Sequence, residues 1–177
     1  MEALSEYLNY VDYLPTLIAL IALFYCWKDI GARWLVITAL TIGCIDNYSV
    51  QYAINWTTHY YAWAIFVNLL YILPILYRKE LARKIYNTTN SSFFYEASQL
   101  KFSPQEAAGM LICSISIIGN AISYVEIFLY KGYVIDVLYF KSYALDRLQF
   151  ILHILSTLVI LSFFYKAKGL NYETGRA

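Results

Sequence analysis

Charged residues are scarce in this chain of 177 residues: Lys, Arg, Asp and Glu together make up 14% of it, and the formal net charge is +1. Soluble domains usually carry about 25% of such residues, so the composition does not fit an ordinary soluble domain. A net charge near zero also excludes the basic face that attracts nucleic acid. We therefore predict no nucleic-acid partner.

Cysteine is also rare, and Cys26, Cys44 and Cys113 lie far apart within apolar runs. An odd number of widely spaced cysteines does not provide the disulfide framework of a small secreted domain. Buried free thiols fit this placement better. Two histidines and three separated cysteines do not make a closed zinc site, so we predict neither a metal ion nor a cofactor.

Familiar catalytic patterns are missing as well. The sequence contains no His-Glu-x-x-His, no Gly-x-Ser-x-Gly, no P-loop and no Cys-x-x-Cys. Asp46, Glu126 and Asp146 are carboxylates within apolar stretches, but nothing in their spacing requires catalysis. The segments outside the apolar stretches are too short to fold as an enzyme domain. We predict that the protein is not an enzyme.

Apolar residues dominate what is present, at 60% of the chain with a mean hydropathy of +0.52. A helix needs about 20 apolar residues to cross the hydrocarbon core of a membrane. Five stretches qualify: 7–27, 32–52, 60–77, 107–130 and 143–165. The sequence therefore predicts an all-α, polytopic membrane helix bundle formed as one domain by residues 1–177. Because Asn9, Asp12 and Pro15 interrupt the first stretch, a four-span variant with that stretch on the surface is the alternative.

The lysines and arginines predict the orientation, since they concentrate on the cytoplasmic side of membrane proteins. They cluster in the first connection, in the connection 78–106 and in the C-terminal tail. This pattern favours an N-terminus outside, a C-terminus in the cytoplasm and a cytoplasmic loop 78–106. We expect the cytoplasmic membrane of a bacterium. One basic cluster is predicted to continue span three as a short surface helix that contacts anionic headgroups or a partner: Arg78, Lys79, Arg83 and Lys84.

Two local signals mark helix ends. The sequence Ser103-Pro104-Gln105-Glu106 has the spacing of a capping box with proline at the first helical position, and it predicts the start of span four. Gly31 stands where a left-handed C-cap would close span one.

Polar side chains within predicted spans are costly and therefore indicate a function by default. A candidate intramembrane polar site consists of Asp46, Asn47, Asn68, Asn120, His153 and Arg147. In one interpretation they line a water-accessible cavity that opens to the outside, with Asp46 as its acid and Arg147 as the counter-charge. In the other, they join helices by hydrogen bonds. Glu126 and Asp146 form an acidic pair of positions in the outer half, where they could also reach the headgroups.

Two functions follow from these features. The first is a non-enzymatic sensor or accessory subunit that acts as an oligomer or in a complex with a membrane or cytosolic protein docked on 78–106. Immunity, exclusion and defence proteins would belong to this class. The alternative is an ion or solute channel or transporter that uses the polar site. Few glycines and the lack of an internal repeat favour the first by a small margin.

Overall fold

The computed structural model describes residues 16–174, and it describes side chains as far as residue 164. The chain is 84% helical, and the described residues include no strand. This confirms the all-α prediction. The elements are α1 (Thr16–Tyr25, its described part), α2 (Ile30–Ala53), α3 (Tyr60–Leu76), α4 (Arg78–Thr89), α5 (Ser92–Gln99), α6 (Pro104–Lys131), a π-helix (Lys141–Leu145) and α7 (Asp146–Thr174).

Side-chain caps fix the starts of two long helices. The Asp29 carboxylate accepts a hydrogen bond from the Ala32 N–H at 3.1 Å and caps α2. At α6, Ser103 and Glu106 form the capping box that the sequence predicted. The prediction for Gly31 is wrong, because α2 already begins at Ile30 and Gly31 lies in its first turn. Asp29 is a strong N-cap residue, and it starts the new helix before a glycine cap can form.

The long helices form an antiparallel bundle in which α6 packs between α3 and α7, and α2 packs against α3. One core cluster joins α2, α3 and α7 through Leu35, Ile75 and Phe163. A second cluster brings Val36 of α2 against Ile160 of α7. The close approach of α6 to α7 depends on Gly119, where an added Cβ would lie 2.8 Å from Leu148 Cδ2.

Within the described residues, two helices are long and apolar enough to cross a membrane, namely Pro104–Lys131 and Lys141–Phe164. A third crossing exists if α3 and α4, which meet at a bend of 72°, form one broken span. The fold is therefore consistent with an integral membrane protein. α2 has 24 residues, but its composition is less apolar. The first predicted span lies partly outside the described residues, so five spans and their orientation stay a prediction.

The predicted loop 78–106 is a folded layer. Helices α4 and α5 pack against each other as a hairpin, and Asn90 in the left-handed conformation (φ 52°) reverses the chain between them. Trp34 of α2 packs against Ala82 of α4 and Ala97 of α5. We call this the hairpin end of the bundle. The opposite end carries the turn 54–59 and the segment 132–140.

Candidate functional site

The α4–α5 hairpin is attached to the bundle by an ion pair between Arg78 and Glu106. Arg78 is the first residue of α4 at the 72° bend, and Glu106 lies in the first turn of α6. The Arg78 Nη2 also donates to the carbonyl oxygens of Leu100 and Lys101, both at 2.9 Å. Only 4% of the Arg78 side chain and 1% of the Glu106 side chain are exposed. The pair therefore joins the two ends of the segment that lies between α3 and α6.

This burial corrects the prediction that Arg78 contacts headgroups or a partner. Arg78 is enclosed by Glu106 and by the backbone at 100–101, so it is not available to an outside ligand. A buried charge persists only when it is paired and hydrogen-bonded. Its carboxylate partner lies 28 positions away in the sequence, which is why the local basic pattern did not indicate it. The Arg78 Nε is buried, and it has no hydrogen-bond partner among the described residues.

The other three basic residues predicted for docking, Lys79, Arg83 and Lys84, are exposed on α4. Ala82 on the opposite side of the helix is fully buried against the base of α2. α5 exposes Tyr95 as well. The hairpin thus presents a basic and partly aromatic surface from a backbone that is attached to the bundle.

Arg33 lies at the same end of the bundle. The sequence analysis did not predict it as a site residue and counted it only among the basic residues that indicate the orientation of the chain in the membrane. Its guanidinium carbon lies 5.0 Å from the ring centroid of Trp27 and 4.0 Å from that of Phe93. Arg33 is half-buried and lies in the first turns of α2, whereas Phe93 belongs to α5. No local pattern signals a contact between residues so far apart in the sequence.

Polar side chains along α6 make hydrogen bonds within that helix and to α7. Asn120 is 3% exposed, and its amide nitrogen donates to the Ser116 carbonyl oxygen at 2.8 Å. The Ser116 hydroxyl lies 3.3 Å from the side-chain amide of Gln149 on α7. Asn68 is half-buried on α3, where its amide donates to the Ala64 carbonyl oxygen at 2.8 Å. These amides make the contacts within and between helices that pack membrane bundles.

The remaining members of the predicted polar site lie on different helices. Asp46 and Asn47 are half-buried on α2, and His153 is half-buried on α7. Asp146 and Arg147 are exposed at the start of α7. In the part of the chain that the structure describes, no group of three or more His, Cys, Asp or Glu side chains is arranged to hold a metal ion.

Glu126 has a contact that its outer position did not reveal. Its two carboxylate oxygens accept hydrogen bonds from the Phe140 and Lys141 N–H groups, each at 2.8 Å. These N–H groups open the π-helix that leads into α7. Glu126 of α6 thus caps the segment that leads into α7.

Two cavities lie at the opposite end of the bundle. The larger, of about 530 Å³, is an apolar groove between α6 and the segment 135–139, and Glu126 is its one charged lining residue. The smaller, of about 430 Å³, is lined by the turn 55–59. Neither is lined by Asp46, Asn68, Asn120 or His153. In comparisons with known proteins, no family model, no curated protein and no solved structure matches this chain.

Proposed function

We propose that the protein is a non-enzymatic membrane subunit that binds a partner protein through the exposed surface of its α4–α5 hairpin. The observation that carries this proposal is the buried Arg78–Glu106 pair, which fixes the hairpin to the bundle. In the predicted topology the hairpin faces the cytoplasm. Immunity, exclusion and defence proteins are examples of this class.

A fixed hairpin favours binding because association costs free energy for every segment that it must order. Trp34 packs under both hairpin helices, and the Arg78 side chain bonds to the segment that follows α5. The basic residues of α4 are therefore presented on a backbone that is already ordered. Glu80 and Glu96 are exposed as well, so the surface carries charges of both signs, and a partner with complementary charges would meet it faster.

The alternative, a channel or transporter, has less support. Ser116 of α6 and Gln149 of α7 hydrogen-bond to each other, and Asn120 bonds to Ser116 within α6, so these polar groups serve helix packing. The larger of the two cavities is apolar and lies on the outside of α6. The observations therefore favour the subunit over the pathway.

The test is the mass and composition of the complex extracted from its native membrane in mild detergent. We compare the parent with a triple variant, Lys79→Glu, Arg83→Glu and Lys84→Glu. All three side chains are exposed, so the variant should keep its helical content while it loses a stoichiometric partner. Scrambling the whole hairpin would be a poorer test, because Ala82 and Ala97 are in the core.

The matched control changes exposed residues at the opposite end, Tyr133→Asn with Asp136→Asn. It should retain the partner. A complex that contains copies of this chain only, with a mass that the triple variant does not alter, would overturn the proposal and would direct attention to Asp46.

A further inference from the structure

The Arg33 side chain has an arrangement that the hairpin proposal does not use. Its guanidinium lies over the rings of Trp27 and Phe93, at 5.0 and 4.0 Å from their centroids. A guanidinium has five N–H donors, and contact with a ring does not supply a hydrogen-bond acceptor for them in its plane. Among the described residues, no hydrogen bond or ion pair involves the Arg33 guanidinium. The N–H groups of the Arg33 guanidinium are therefore left for an outside acceptor.

The surroundings of Arg33 are open to a ligand. Trp27 is 55% exposed and Arg33 is half-buried. Lys28, which follows Trp27 in the sequence, is exposed and positively charged, and it is followed by the half-buried carboxylate of Asp29. Arg78 differs in each respect, because it is 4% exposed and bound to Glu106. Of the two buried or half-buried arginines at this end, Arg33 is the one that can bind a ligand.

Arg33 lies beside the bend between α3 and α4. Its neighbour Trp34 donates from Nε1 to the Pro74 carbonyl oxygen at 3.3 Å. Pro74 lies in the last turn of α3, directly before the 72° bend into α4. In the predicted topology, in which span three ends at residue 77 and α4 lies on the membrane surface, this bend marks the level at which the chain leaves the hydrocarbon core. Aromatic side chains such as Trp27 are typical of that level.

We propose that Arg33, held by Trp27 and Phe93, binds the phosphate group of an anionic phospholipid in the leaflet at the hairpin end. The guanidinium fork matches the geometry of a phosphate and binds two of its oxygens at once. The two rings hold the fork in place, so less side-chain freedom is lost on binding. The lipid is favoured over a soluble phosphate ester because the site lies at the bend that marks the membrane surface.

The test uses the purified chain alone, so it does not depend on the proposed partner. The protein is placed in neutral detergent, and bound phosphatidylglycerol is counted by native mass spectrometry against phosphatidylcholine. Arg33→Lys keeps the charge but removes the fork. We expect it to weaken phosphatidylglycerol binding about tenfold, the equivalent of one charge-assisted hydrogen bond. Phe93→Leu removes one ring contact and keeps the charge, and we expect a smaller loss in the same direction.

Lys101→Gln and Lys101→Arg are the matched controls, because Lys101 is exposed at the same end of the bundle and has no ring contact among the described residues. They should change binding by less than about twofold, as expected of an exposed charge. Binding by Arg33→Lys equal to that of the parent would overturn the proposal, as would equal losses in Arg33→Lys and Lys101→Gln. Displacement by soluble glycerol phosphate as effectively as by the lipid would assign the site to a soluble ester and would also overturn it.

Discussion

Arg78 and Glu106 join the first residue of α4 to the first turn of α6 across 28 positions of sequence. One oxygen of the Glu106 carboxylate receives the arginine, and the other receives the Ser103 N–H at 2.8 Å. The same side chain therefore starts α6 and attaches the hairpin. Glu106 therefore takes part both in the local signal that starts a helix and in a contact between distant parts of the sequence.

Glu106→Gln separates these two roles, because glutamine still serves in a capping box but cannot neutralise Arg78. Removing one member of a buried ion pair leaves an uncompensated charge and costs about 3–5 kcal/mol. We expect a loss of that size in the free energy of unfolding, measured by denaturant titration in detergent. Glu96→Gln, on the exposed face of α5, should cost less than about 0.5 kcal/mol. Equal losses in the two variants would contradict the role of the pair.

Gly119→Val tests the contact between α6 and α7. A Cβ at position 119 would lie 2.8 Å from Leu148 Cδ2, so Leu148 must move within a packed interface. Such overpacking costs about 1–3 kcal/mol. We expect a smaller loss when the substitution is made in a Leu148→Ala background. Gly31→Ala is the control, since its added Cβ would meet the nearest atom at an ordinary 3.4 Å, and a loss there as large as that of Gly119→Val would refute the explanation.

Glu126→Gln tests the cap on the segment that leads into α7. The carboxylate accepts two backbone N–H groups, whereas an amide offers one oxygen and turns its NH₂ group toward the other N–H. Leaving a donor unsatisfied costs about 1–3 kcal/mol. We expect faster amide hydrogen exchange at residues 138–145, measured by mass spectrometry. Asp136→Asn changes an exposed carboxylate nearby and should leave the exchange unchanged, and protection that survives Glu126→Gln would argue against the cap.

Trp34→Ala tests whether the hairpin depends on the base of α2. Trp34 is 7% exposed and packs against Ala82 and Ala97. Truncating a buried tryptophan costs about 3–5 kcal/mol, and most of that loss should appear as local opening of the hairpin. We expect faster tryptic cleavage within α4, whose lysines and arginines supply the sites. Trp56→Ala, at a side chain that is 50% exposed, should leave the cleavage rate as in the parent.

Features carried by adjacent residues could be predicted from the sequence. The capping box needs only the four residues Ser103 to Glu106, and the structure confirms it. The apolar stretch that follows predicted α6, since a long uninterrupted run has few other solutions in a membrane. The prediction of a C-cap at Gly31 was wrong because the signal for the end of one helix overlapped the signal for the start of the next. Asp29 starts α2 before Gly31 is reached.

Features that depend on distant partners could not be predicted. The basic cluster of α4 indicated a surface helix, but whether Arg78 faces outward depends on Glu106 and on backbone carbonyls of residues 100 and 101. The ring of Phe93 reaches Arg33 only after the hairpin has folded over α2. The polar residues within the spans marked helix contacts such as that of Ser116 with Gln149, which composition alone could not separate from the lining of a cavity.

Whether α2 crosses the membrane is the part of the predicted topology that can be tested most directly. The helix has 24 residues, about 36 Å at 1.5 Å per residue, which is enough to span the hydrocarbon core of about 30 Å. Lys28 and Asn55 lie before and after it, and both are exposed. We expect Asn55→Cys to react from outside the cell with a membrane-impermeant maleimide, and Lys28→Cys to react only after permeabilisation, with the three native cysteines replaced by alanine.

Two further single-cysteine variants serve as references for the two sides of the membrane. They lie near opposite ends of α6, which is apolar and long enough to cross. Tyr133→Cys, at the opposite end, should react from outside, and Glu80→Cys, on the hairpin, should require permeabilisation. If Asn55→Cys instead behaved like Glu80→Cys while Tyr133→Cys still reacted from outside, α3 would not cross either, since it connects the turn 54–59 to the hairpin. If only Lys28→Cys reacted from the unexpected side, α2 alone would lie on the outer surface. Because α2 shares core contacts with both α3 and α7 through Leu35 and Val36, we expect all three helices to cross together.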